Sequence, residues 1–507
     1  MSANGGVYLG IDVGTTGTKC VAIDARGAVL AEALGEHPVS YPKPGWSEQQ
    51  PEDWWRSTVE SVRAVVARAP SVARDVAAIG LSGQMHGFVP VDARGEVVRP
   101  CILWNDSRSA AICDRLQDER PGLAELLRLT GNRVFPGFQA PKILWLREHE
   151  PAAYARTAKA LLPKDWLRFR MSGAYAAEVS DASGTAVFDC GRRTWSDELL
   201  GALELPRALF PDVAESTELT TRLSARAAAE LGLPAGTPIA GGGGDQAASA
   251  VGSGIVDEGT VSCTIGTSGV VFATSRAWRP SPRGELHAFC HAVPGRWHLM
   301  GVMLSAGGSL RWFRDTVVPD LVATAKARGV DPYELIAECA AQAPAGSDGL
   351  VFLPFLSGER CPVPDPAIRG GFLGLDVSHG RAQLCRATFE GITAALAENL
   401  ALIRALGVRA DEVRLSGGGA RSAFWRQMCA DMFEARIALP ATDAGGAFGA
   451  ALIAATGAGA FASIDDACRA TVHARAAEAP DSRAREVAAR VRARVTSAYA
   501  RALRVAE

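Results

Sequence analysis

The amino-acid sequence predicts an α/β protein made of two related halves. Strand-like and helix-like stretches alternate over the first part of its 507 residues, which is typical of a mixed or parallel sheet covered by helices. A turn rich in glycine and threonine at Gly14–Gly17 has a partner at Gly266–Gly269, and each turn lies between two runs of β-branched residues. A similarity at this spacing indicates a duplicated domain, with a boundary near residues 250 to 258.

The first half opens with strands and one long helix. Val7–Val13 and Thr18–Ile23 are apolar and β-branched, and a turn at Asp24–Gly27 follows the second run. Pro51–Ala69 carries apolar residues three to four positions apart, which predicts a helix. Val76–Leu81 is a short apolar strand that ends in a serine and a glycine.

The rest of the chain is predicted to be largely helical around a second pair of strands. Alanine-rich helices fill residues 107 to 235, and a passage rich in proline and glycine leads to Gly244. Ala444–Ile464 has no charge over 21 residues, which is long enough to span a bilayer. Its five glycines instead favour a tightly packed buried helix followed by a turn. Residues 466 to 507 are rich in alanine and arginine and predict peripheral helices with a solvated basic face.

Composition excludes several classes of function. The 53 basic and 55 acidic residues give a formal net charge of −2, so no overall field attracts nucleic acid or an anionic membrane. The 11 cysteines contain no Cys-x-x-Cys pair, which predicts free thiols in a reducing compartment. The N-terminus has no signal-peptide pattern. We therefore expect a cytoplasmic protein with no nucleic-acid or membrane partner.

The first glycine–threonine turn is a candidate phosphate site. In Asp12–Lys19 two threonines stand between glycines in a tight hairpin, whose N–H groups and hydroxyls can meet phosphate oxygens. Asp12 could hold a magnesium ion through water, although a plain hairpin turn explains the motif equally well. The turn at Gly266–Gly269 repeats the chemistry, so two facing turns could clamp a polyphosphate. The chain has neither a Walker A loop nor a Rossmann fingerprint.

Two further stretches combine glycines with the start of a predicted helix. Gly241–Gly244 precedes Asp245, and glycines let another molecule approach the backbone closely. Asp245 is either an N-terminal helix cap or a carboxylate that accepts a substrate proton during phosphoryl transfer. The cap does not explain the glycines, so we favour the functional carboxylate. Ser416–Ser422 indicates either a nucleoside contact or tight strand–helix packing.

Polar side chains also follow two predicted strands of the first half. Gln84–Gly87 and Trp104–Arg108 stand at the C-terminal ends of strands, where ligands bind in open α/β sheets. The alternative for His86 is a structural histidine, and the alternative for Asp106 is a helix cap.

His287, Cys290 and His291 suggest a metal site. A histidine pair at this spacing needs a helix and at least one further ligand. Pro294 and Gly295 close the segment at once, so we reject the metal interpretation.

These motifs stand in one order, and the sequence resembles the FGGY family of carbohydrate kinases over residues 7 to 460. The motifs that carry the resemblance are Tyr8–Thr16, Trp46–Trp55, Gly83–Gly87, Ile102–Asp106, Pro136–Phe138, Ala140–Lys142, Leu162–Trp166, Ser180–Thr185, Phe289–Pro294, Arg296–Met300 and Leu356–Arg360. The resemblance implies two actin-like, ribonuclease-H-like domains around a central cleft, and it implies ATP and Mg²⁺. We assign residues 1–252 to the sugar-side domain, 253–465 to the nucleotide-side domain and 466–507 to a helical tail.

The resemblance also implies roles for individual residues. Asp245 is the expected general base, and Asp12 the residue that organises Mg²⁺ through water. The expected sugar contacts are Met85, His86, Asp106 and Gln246. The expected ATP contacts are Thr15, Thr16, Gly266, Thr267, Gly307, Gly418, Gly419 and Ala420.

Three stretches depart from the family pattern. Gln246 stands where asparagine is frequent, and Cys361 and Val363 stand where threonine and histidine are usual. Ala306–Ser309 is richer in glycine than the pattern. The first two departures bear on the identity of the sugar.

We expect transfer of the γ-phosphate of ATP to O5 of D-xylulose. A related kinase that acts on ribulose, gluconate or another polyol is the nearest alternative. An actin-like ATPase that transfers to no sugar and a catalytically inactive sugar sensor are alternatives of other classes. The resemblance also implies a possible homodimer.

Overall fold

Two mixed β-sheets form the framework of the molecule, one in each half of the chain. The computed structural model describes residues 6–441 and 445–505. In spatial order the first sheet consists of Leu219–Arg222, Pro238–Ala240, Val76–Gly83, Val7–Val13, Gly17–Asp24 and Val29–Glu36, with the short Gly243–Gly244 beside Val76–Gly83. In spatial order the second sheet consists of His287–Cys290, Trp297–Met303, Gly269–Ser275, Gly259–Ile265, Ala410–Ser416, Arg436–Pro440 and Ala474–Ala476.

The two sheets share one topology. In each, a strand pairs antiparallel with the strand that follows it and parallel with a strand on its other side. Gly14–Gly17 and Gly266–Gly269 both join such an antiparallel pair. The duplication that the sequence predicts is therefore confirmed, and both turns lie at equivalent ends of equivalent strands.

Helices cover the sheets and build an additional lobe on the first half. The helices are Pro51–Arg68, Val72–Asp75, Ala110–Asp118, Leu123–Thr130, Gln139–His149, Pro151–Arg156, Pro163–Ser172, Val179–Ala182, Asp197–Ala202, Ala225–Leu231, Asp245–Gly252, Gly307–Thr316, Pro319–Arg328, Pro332–Ala341, Arg381–Ala405, Ala423–Phe433, Gly445–Gly457, Ile464–Thr471 and Arg485–Val505. Short 3-10 turns occupy Ser183–Thr185, Arg207–Leu209, Ser347–Gly349 and Gly418–Arg421. The predicted strands and the helix at Pro51 are confirmed to within two residues at each end.

The segments between the helices contain short strand pairs, which the sequence did not predict. They are Glu48–Gln49 with Cys101–Ile102, Val89–Val91 with Lys159–Leu161, Ala177–Glu178 with Val213–Ala214, Phe188–Asp189 with Thr194–Trp195, and Val351–Leu353 with Gly371–Leu373. Segments of two or three residues carry no periodicity, so tertiary pairing alone determines them.

Two helices cross on the face of the first sheet with their backbones in contact. They are Asp245–Gly252 and Gly445–Gly457, and a Cβ atom on Gly449 would lie 1.8 Å from the Ala248 carbonyl oxygen. Only glycine permits this approach. The buried helix predicted over Ala444–Ile464 is confirmed from residue 445 onward, and residue 444 lies outside the described residues.

The same C-terminal helix also covers the first sheet directly. A Cβ atom on Gly10 would lie 1.7 Å from the Ala447 carbonyl oxygen, and one on Gly80 would lie 1.9 Å from that of Ala450. A segment late in the chain therefore completes the core of the first half. No motif in the sequence indicates this return.

The tail differs from the predicted set of peripheral helices. Ala474–Ala476 adds an antiparallel strand to the second sheet. The helix Arg485–Val505 buries Val491, Val495 and Tyr499 in the core of the second half. The tail is integral because its apolar residues recur on one helical face, while arginines such as Arg490 stay exposed. No helix in the described part of the chain has the length and apolarity needed to cross a bilayer.

Candidate functional site

Hydrogen bonds from side chains of the first half fix the first glycine–threonine turn. The Gly14 N–H donates to the Gly17 carbonyl oxygen over 2.9 Å. Thr15 Oγ1 donates to Gln84 Oε1 over 3.3 Å, and the Trp104 indole N–H donates to Thr15 Oγ1 over 3.1 Å. Thr16 is exposed. The turn is thus fixed in shape while one threonine faces solvent.

The second turn is packed against the start of a helix. The N–H groups of Gly307 and Gly308 donate to the carbonyl oxygens of Gly266 and Thr267 over 2.8 and 3.0 Å. A Cβ atom on Gly307 would lie 2.5 Å from the Gly266 carbonyl oxygen. The unusual glycines of this stretch therefore let a helix N-terminus meet the turn directly, which adds positive dipole where a phosphate would bind.

A cavity of about 830 Å³ opens beside the second turn. It brings together five residues that the sequence predicts as ATP contacts, namely Gly266, Thr267, Gly307, Gly418 and Gly419. Ala420, which was predicted with them, is buried, and its carbonyl oxygen accepts from the Arg426 guanidinium over 2.9 Å.

Sequence reasoning missed the opposite wall of this cavity. That wall includes Asp331, Tyr333, Glu334, Glu338, Arg421, Phe424 and Trp425. Most of these residues lie on the helices Pro332–Ala341 and Ala423–Phe433. Aromatic residues on a helix give the same periodic signal whether they pack in a core or contact a ligand, so no pattern could separate the two.

Two carboxylates stand close together where the halves meet. Asp12 Oδ1 accepts from Ser82 Oγ over 2.7 Å, and burial raises the pKa of Asp12. Burial, together with the negative charge of Asp12, raises the pKa of Asp245 to about 7. Burial is the larger cause of the pKa shift of Asp245 and repulsion by Asp12 the smaller one. The two carboxylates supply oxygen donors of the kind that Mg²⁺ prefers.

Asp245 is the first residue of its helix, and Gly244 precedes it at the cap position. The Asp245 Oδ1 atom accepts from the Gln246 N–H over 2.7 Å, while the Gly244 N–H donates to Ser180 Oγ over 3.0 Å. The N-cap position is therefore taken by Gly244 and not by Asp245. The Gln246 N–H holds the Asp245 carboxylate, and the bond from Gly244 to Ser180 fixes the backbone before it.

The glycines before Asp245 are required by close approach to a neighbouring strand. Gly242 has a φ of +73°, and a Cβ atom there would lie 1.9 Å from the Leu81 carbonyl oxygen. A Cβ atom on Gly244 would lie 2.8 Å from Met85 Cγ. The glycine run thus lets the helix that carries Asp245 begin directly against the strand end that carries the predicted sugar contacts.

His86 is held in an unusual conformation with a neutral ring. Its φ is +69°, which is uncommon and costly for a residue other than glycine. Nδ1 lies 2.9 Å from the Gly184 carbonyl oxygen, which can only accept, so Nδ1 carries the hydrogen and Nε2 keeps its lone pair. Burial lowers the pKa of His86 to about 3. The imidazole is therefore a hydrogen-bond acceptor for a hydroxyl.

A buried lysine supports the backbone of His86. Lys142 Nζ donates to the His86 carbonyl oxygen over 3.0 Å and to that of Gly137 over 2.6 Å. The next residue, Phe138, stacks on the His86 ring with centroids 4.7 Å apart. Burial lowers the pKa of Lys142 to about 7. Sequence reasoning included Lys142 only as part of a family motif and gave it no role.

The other predicted sugar contacts differ in their burial and in their hydrogen-bond partners. Met85 is buried against Gly244, and Gln246 lies at the edge of a small pocket that the second sheet also lines. The Asp106 carboxylate is fully buried and accepts from the Ser47 N–H and from Arg108, each over 2.7 Å. Asp106 therefore offers no free oxygen in this conformation, and we revise its expected role from sugar contact to support of the site wall.

A polar cluster that the sequence did not single out lies behind Asp245. Glu178 Oε2 accepts over 2.8 Å from Ser180 Oγ, the atom that binds the Gly244 N–H. Lys164 Nζ lies 3.6 Å from Asp181 Oδ2. These residues connect the lobe of the first half to the loop that carries the proposed base.

The rejected metal site lies on a strand and a loop. His287 and Cys290 belong to the strand His287–Cys290, and His291 Nε2 lies 3.0 Å from the Ile255 carbonyl oxygen. Within residues 6–441 and 445–505, no cluster of three histidine, cysteine or acidic residues is arranged to hold a metal.

Comparison with known proteins agrees with this architecture. The family model for the N-terminal domain of FGGY carbohydrate kinases matches residues 7–252, and that for the C-terminal domain matches residues 261–458. Xylulose kinase from Escherichia coli K12 is 42% identical over 88% of this chain and 89% of its own length. Xylulose kinase from Bacillus subtilis is 38% identical over 90% of this chain and 89% of its own length.

A solved structure extends the similarity to the whole fold. The crystal structure of a xyloylose kinase from Brucella ovis superposes with a TM-score of 0.88 at 39% identity, and the match covers 99% of this chain and 100% of that one. Both family models match the chain in order, and the fold is shared over nearly its full length. The chain belongs to the FGGY family of carbohydrate kinases.

Proposed function

We propose that this kinase transfers the γ-phosphate of ATP to O5 of D-xylulose. The observation that best supports the reaction is Asp245, a half-buried carboxylate whose pKa is raised to about 7 by burial and by the charge of Asp12. It directly follows Gly244, which packs against Met85 of the sugar wall. Phosphoryl transfer needs positioning and charge neutralisation more than covalent chemistry. The choice of sugar is supported by the curated relatives, which are named xylulose kinases.

In the proposed reaction Asp245 accepts the proton of the sugar O5 hydroxyl. O5 then forms a bond to the γ-phosphorus, the bond from that phosphorus to the bridging oxygen breaks, and ADP leaves. A carboxylate with a pKa near neutrality is a better base than an ordinary aspartate, because its conjugate acid is weaker. The backbone contacts of Gly244 and Gln246 keep the carboxylate at the helix start during the transfer.

The nucleotide is assigned to the cavity beside Gly266 and Gly418, with its phosphates extending toward the two turns. Asp12 would hold Mg²⁺ through water, and the ion would supply positive charge beside the phosphate oxygens. His86 Nε2 would accept a hydrogen bond from a sugar hydroxyl, and its strained backbone keeps the ring fixed.

A coupled ADP-release assay over a sugar panel tests this proposal. The panel contains D-xylulose, D-ribulose, L-ribulose, L-xylulose, D-gluconate and glycerol, with a control that lacks sugar. We expect the highest kcat/KM for D-xylulose and negligible ADP release without sugar. A preference for another member would contradict the substrate, and equal rates with and without every sugar would contradict sugar transfer. Light scattering on the same preparation tests the homodimer.

A further inference from the structure

Arg360 is a half-buried cation whose guanidinium group forms no salt bridge among the residues that the structure describes, although the charge of Glu359 lies nearby. It lies on the loop between the strands Val351–Leu353 and Gly371–Leu373 of the second half. Burial lowers the pKa of Arg360. Among the residues that the structure describes, no carboxylate or carbonyl oxygen accepts a hydrogen bond from its guanidinium group. The neighbouring Glu359 directs Oε1 to the N–H groups of Leu304 and Arg360, over 2.8 Å each.

The guanidinium group lies against the aromatic wall that carries His86. Its central carbon is 4.9 Å from the centroid of the Phe135 ring. Phe135 contacts Phe138 with centroids 6.1 Å apart, and Phe138 stacks on His86. Burial chiefly, and then the charge of Arg360, lowers the pKa of His287, and the same charge contributes to the lowered pKa of His86. Arg360 therefore reaches from the second half to the sugar wall of the first.

A charged group that is partly withdrawn from water is stabilised by a partner, because lost hydration costs free energy. Arg360 is half-buried, so its guanidinium nitrogens stay accessible to a ligand. A face of Phe135 offers a weak cation–π contact but accepts no hydrogen bond. The five N–H donors of the guanidinium thus point to an oxygen-rich ligand. Nε2 of the neutral His86 accepts a hydrogen bond from a hydroxyl, and the Arg360 guanidinium donates hydrogen bonds to oxygens. Together the two side chains suit a carbonyl group flanked by hydroxyls.

We infer that Arg360 is a sugar-specificity residue contributed by the second half of the chain, which donates hydrogen bonds to the oxygens at the carbonyl end of the ketose. This inference rests on the proposed function. Gly244, which directly precedes Asp245, packs against Met85. From the next residue, His86, contacts continue through Phe138 and Phe135 to Arg360, so a sugar whose O5 meets Asp245 extends toward Arg360. The sugar would then bridge the two halves.

The variant Arg360→Met tests this assignment with steady-state kinetics. We expect the KM for D-xylulose to rise at least about tenfold, which corresponds to about 1.4 kcal/mol, while the KM for MgATP changes less than about twofold. Arg360→Lys keeps the charge and should recover part of the loss. The control is Arg369→Met on the same loop, whose guanidinium bonds only the carbonyl oxygens of Pro366 and Ile368; its kinetic constants should match the wild type.

Several outcomes would overturn the assignment. They are an unchanged sugar KM in Arg360→Met, a fall in kcat without a change in sugar KM, and equal rises in both KM values with a lower melting temperature. The proposed function fails separately, since it requires only that the wild-type enzyme turn over D-xylulose. If the wild type prefers another sugar of the panel, the same comparison is made with that sugar.

Discussion

Asp245 holds a proton more readily than an ordinary aspartate, because burial and the charge of Asp12 raise its pKa to about 7. A general base acts only when deprotonated, so kcat/KM should rise with pH and level off above this value. Asp245→Asn should lower kcat by about 10²- to 10⁴-fold and retain sugar binding. A pH series of the coupled assay and an equilibrium sugar titration measure these effects.

The stability of the same variant distinguishes lost chemistry from lost folding. Because the pKa of Asp245 is higher in the folded state than in the unfolded chain, ionisation of this carboxylate destabilises the fold, increasingly as pH rises toward 7. Asparagine removes this cost. The melting temperature of Asp245→Asn well above pH 7 should therefore be no lower than that of the wild type, and wild-type-like turnover would contradict the base assignment.

Lys142 shows how a single buried cation can position a binding residue. Lys142→Met leaves the carbonyl oxygens of His86 and Gly137 without their donor, which costs about 1–3 kcal/mol of stability and frees the strained backbone of His86. We expect the KM for the sugar to rise several-fold and the KM for ATP to stay constant. Lys159→Met is the control, because Lys159 donates to Ala208 at an exposed site. Equal changes in both KM values would refute the positioning role.

Gly418, which lines the cavity that we propose for the nucleotide, and its neighbour Gly417 should respond differently to substitution. A Cβ atom on Gly418 meets no atom within 4 Å, whereas Gly417 has a φ of +81° and its Cβ atom would lie 2.5 Å from the Ile265 carbonyl oxygen. Gly418→Val should fill the cavity and raise the KM for ATP about tenfold or more without loss of thermal stability. Gly417→Val should lower the melting temperature. An unchanged KM for ATP in Gly418→Val would contradict the nucleotide assignment.

At the scale of elements, the crossing of two helices rich in alanine and glycine determines where Asp245 lies. The helix Asp245–Gly252 rests on Gly445–Gly457 at backbone distance, and both rest on the first sheet. Small residues make this crossing possible because a larger side chain would separate the axes. The position of the proposed base therefore depends on residues that bind nothing.

Gly449→Ala tests this dependence. The added methyl group would meet the Ala248 carbonyl oxygen at 1.8 Å, so the helices must separate. We expect a loss of about 2–4 kcal/mol in the free energy of unfolding, measured by urea titration, and a lower kcat. Gly201→Ala is the matched control, since Gly201 is helical and has no neighbour within 4 Å of its Cβ position. That variant should be as stable as the wild type or slightly more so; equal stability of both variants would contradict the argument.

At the scale of the whole molecule, helices from the C-terminal part of the chain complete the cores of both halves. The late helix Gly445–Gly457 covers Gly10 and Gly80 of the first sheet, and the tail helix Arg485–Val505 completes the core of the second half. The first half thus lacks part of its core until the end of the chain is in place. This arrangement couples the folding of the two halves.

Calorimetry tests the coupling. We expect the full chain to unfold in a single transition, and a chain that ends at residue 441 to lose cooperative unfolding of the first half, because Tyr8 and Ala78 would lose their cover. Saturating MgATP should raise the single transition as a unit, since binding to the folded state stabilises all that unfolds with it. Two separate transitions in the full chain would contradict this view.

Local pattern and motif order predicted much of this fold and part of its site. The strands beside both turns follow from β-branched runs, and the duplicated turn from its repeated glycines and threonines. Asp12 and Asp245 were predicted from the glycine-rich stretches beside them, and His86 was predicted from its place after a strand together with the family resemblance. Lys142, Arg360 and the wall formed by Tyr333 and Phe424 were not assigned roles, since nothing in their local sequence separates a ligand contact from a core contact.

The sequence by itself determined the α/β class, the two related halves, the two glycine–threonine turns and the carboxylate that we propose as base. These features depend on periodicity and on glycine, whose conformational effects are local. Tertiary structure alone decided that the Asp106 carboxylate pairs with Arg108, that the helix at Gly445 covers the first sheet, and that Arg360 lies against the ring of Phe135. These features depend on distances between segments far apart in the chain, and burial, pairing and pKa are set by those distances.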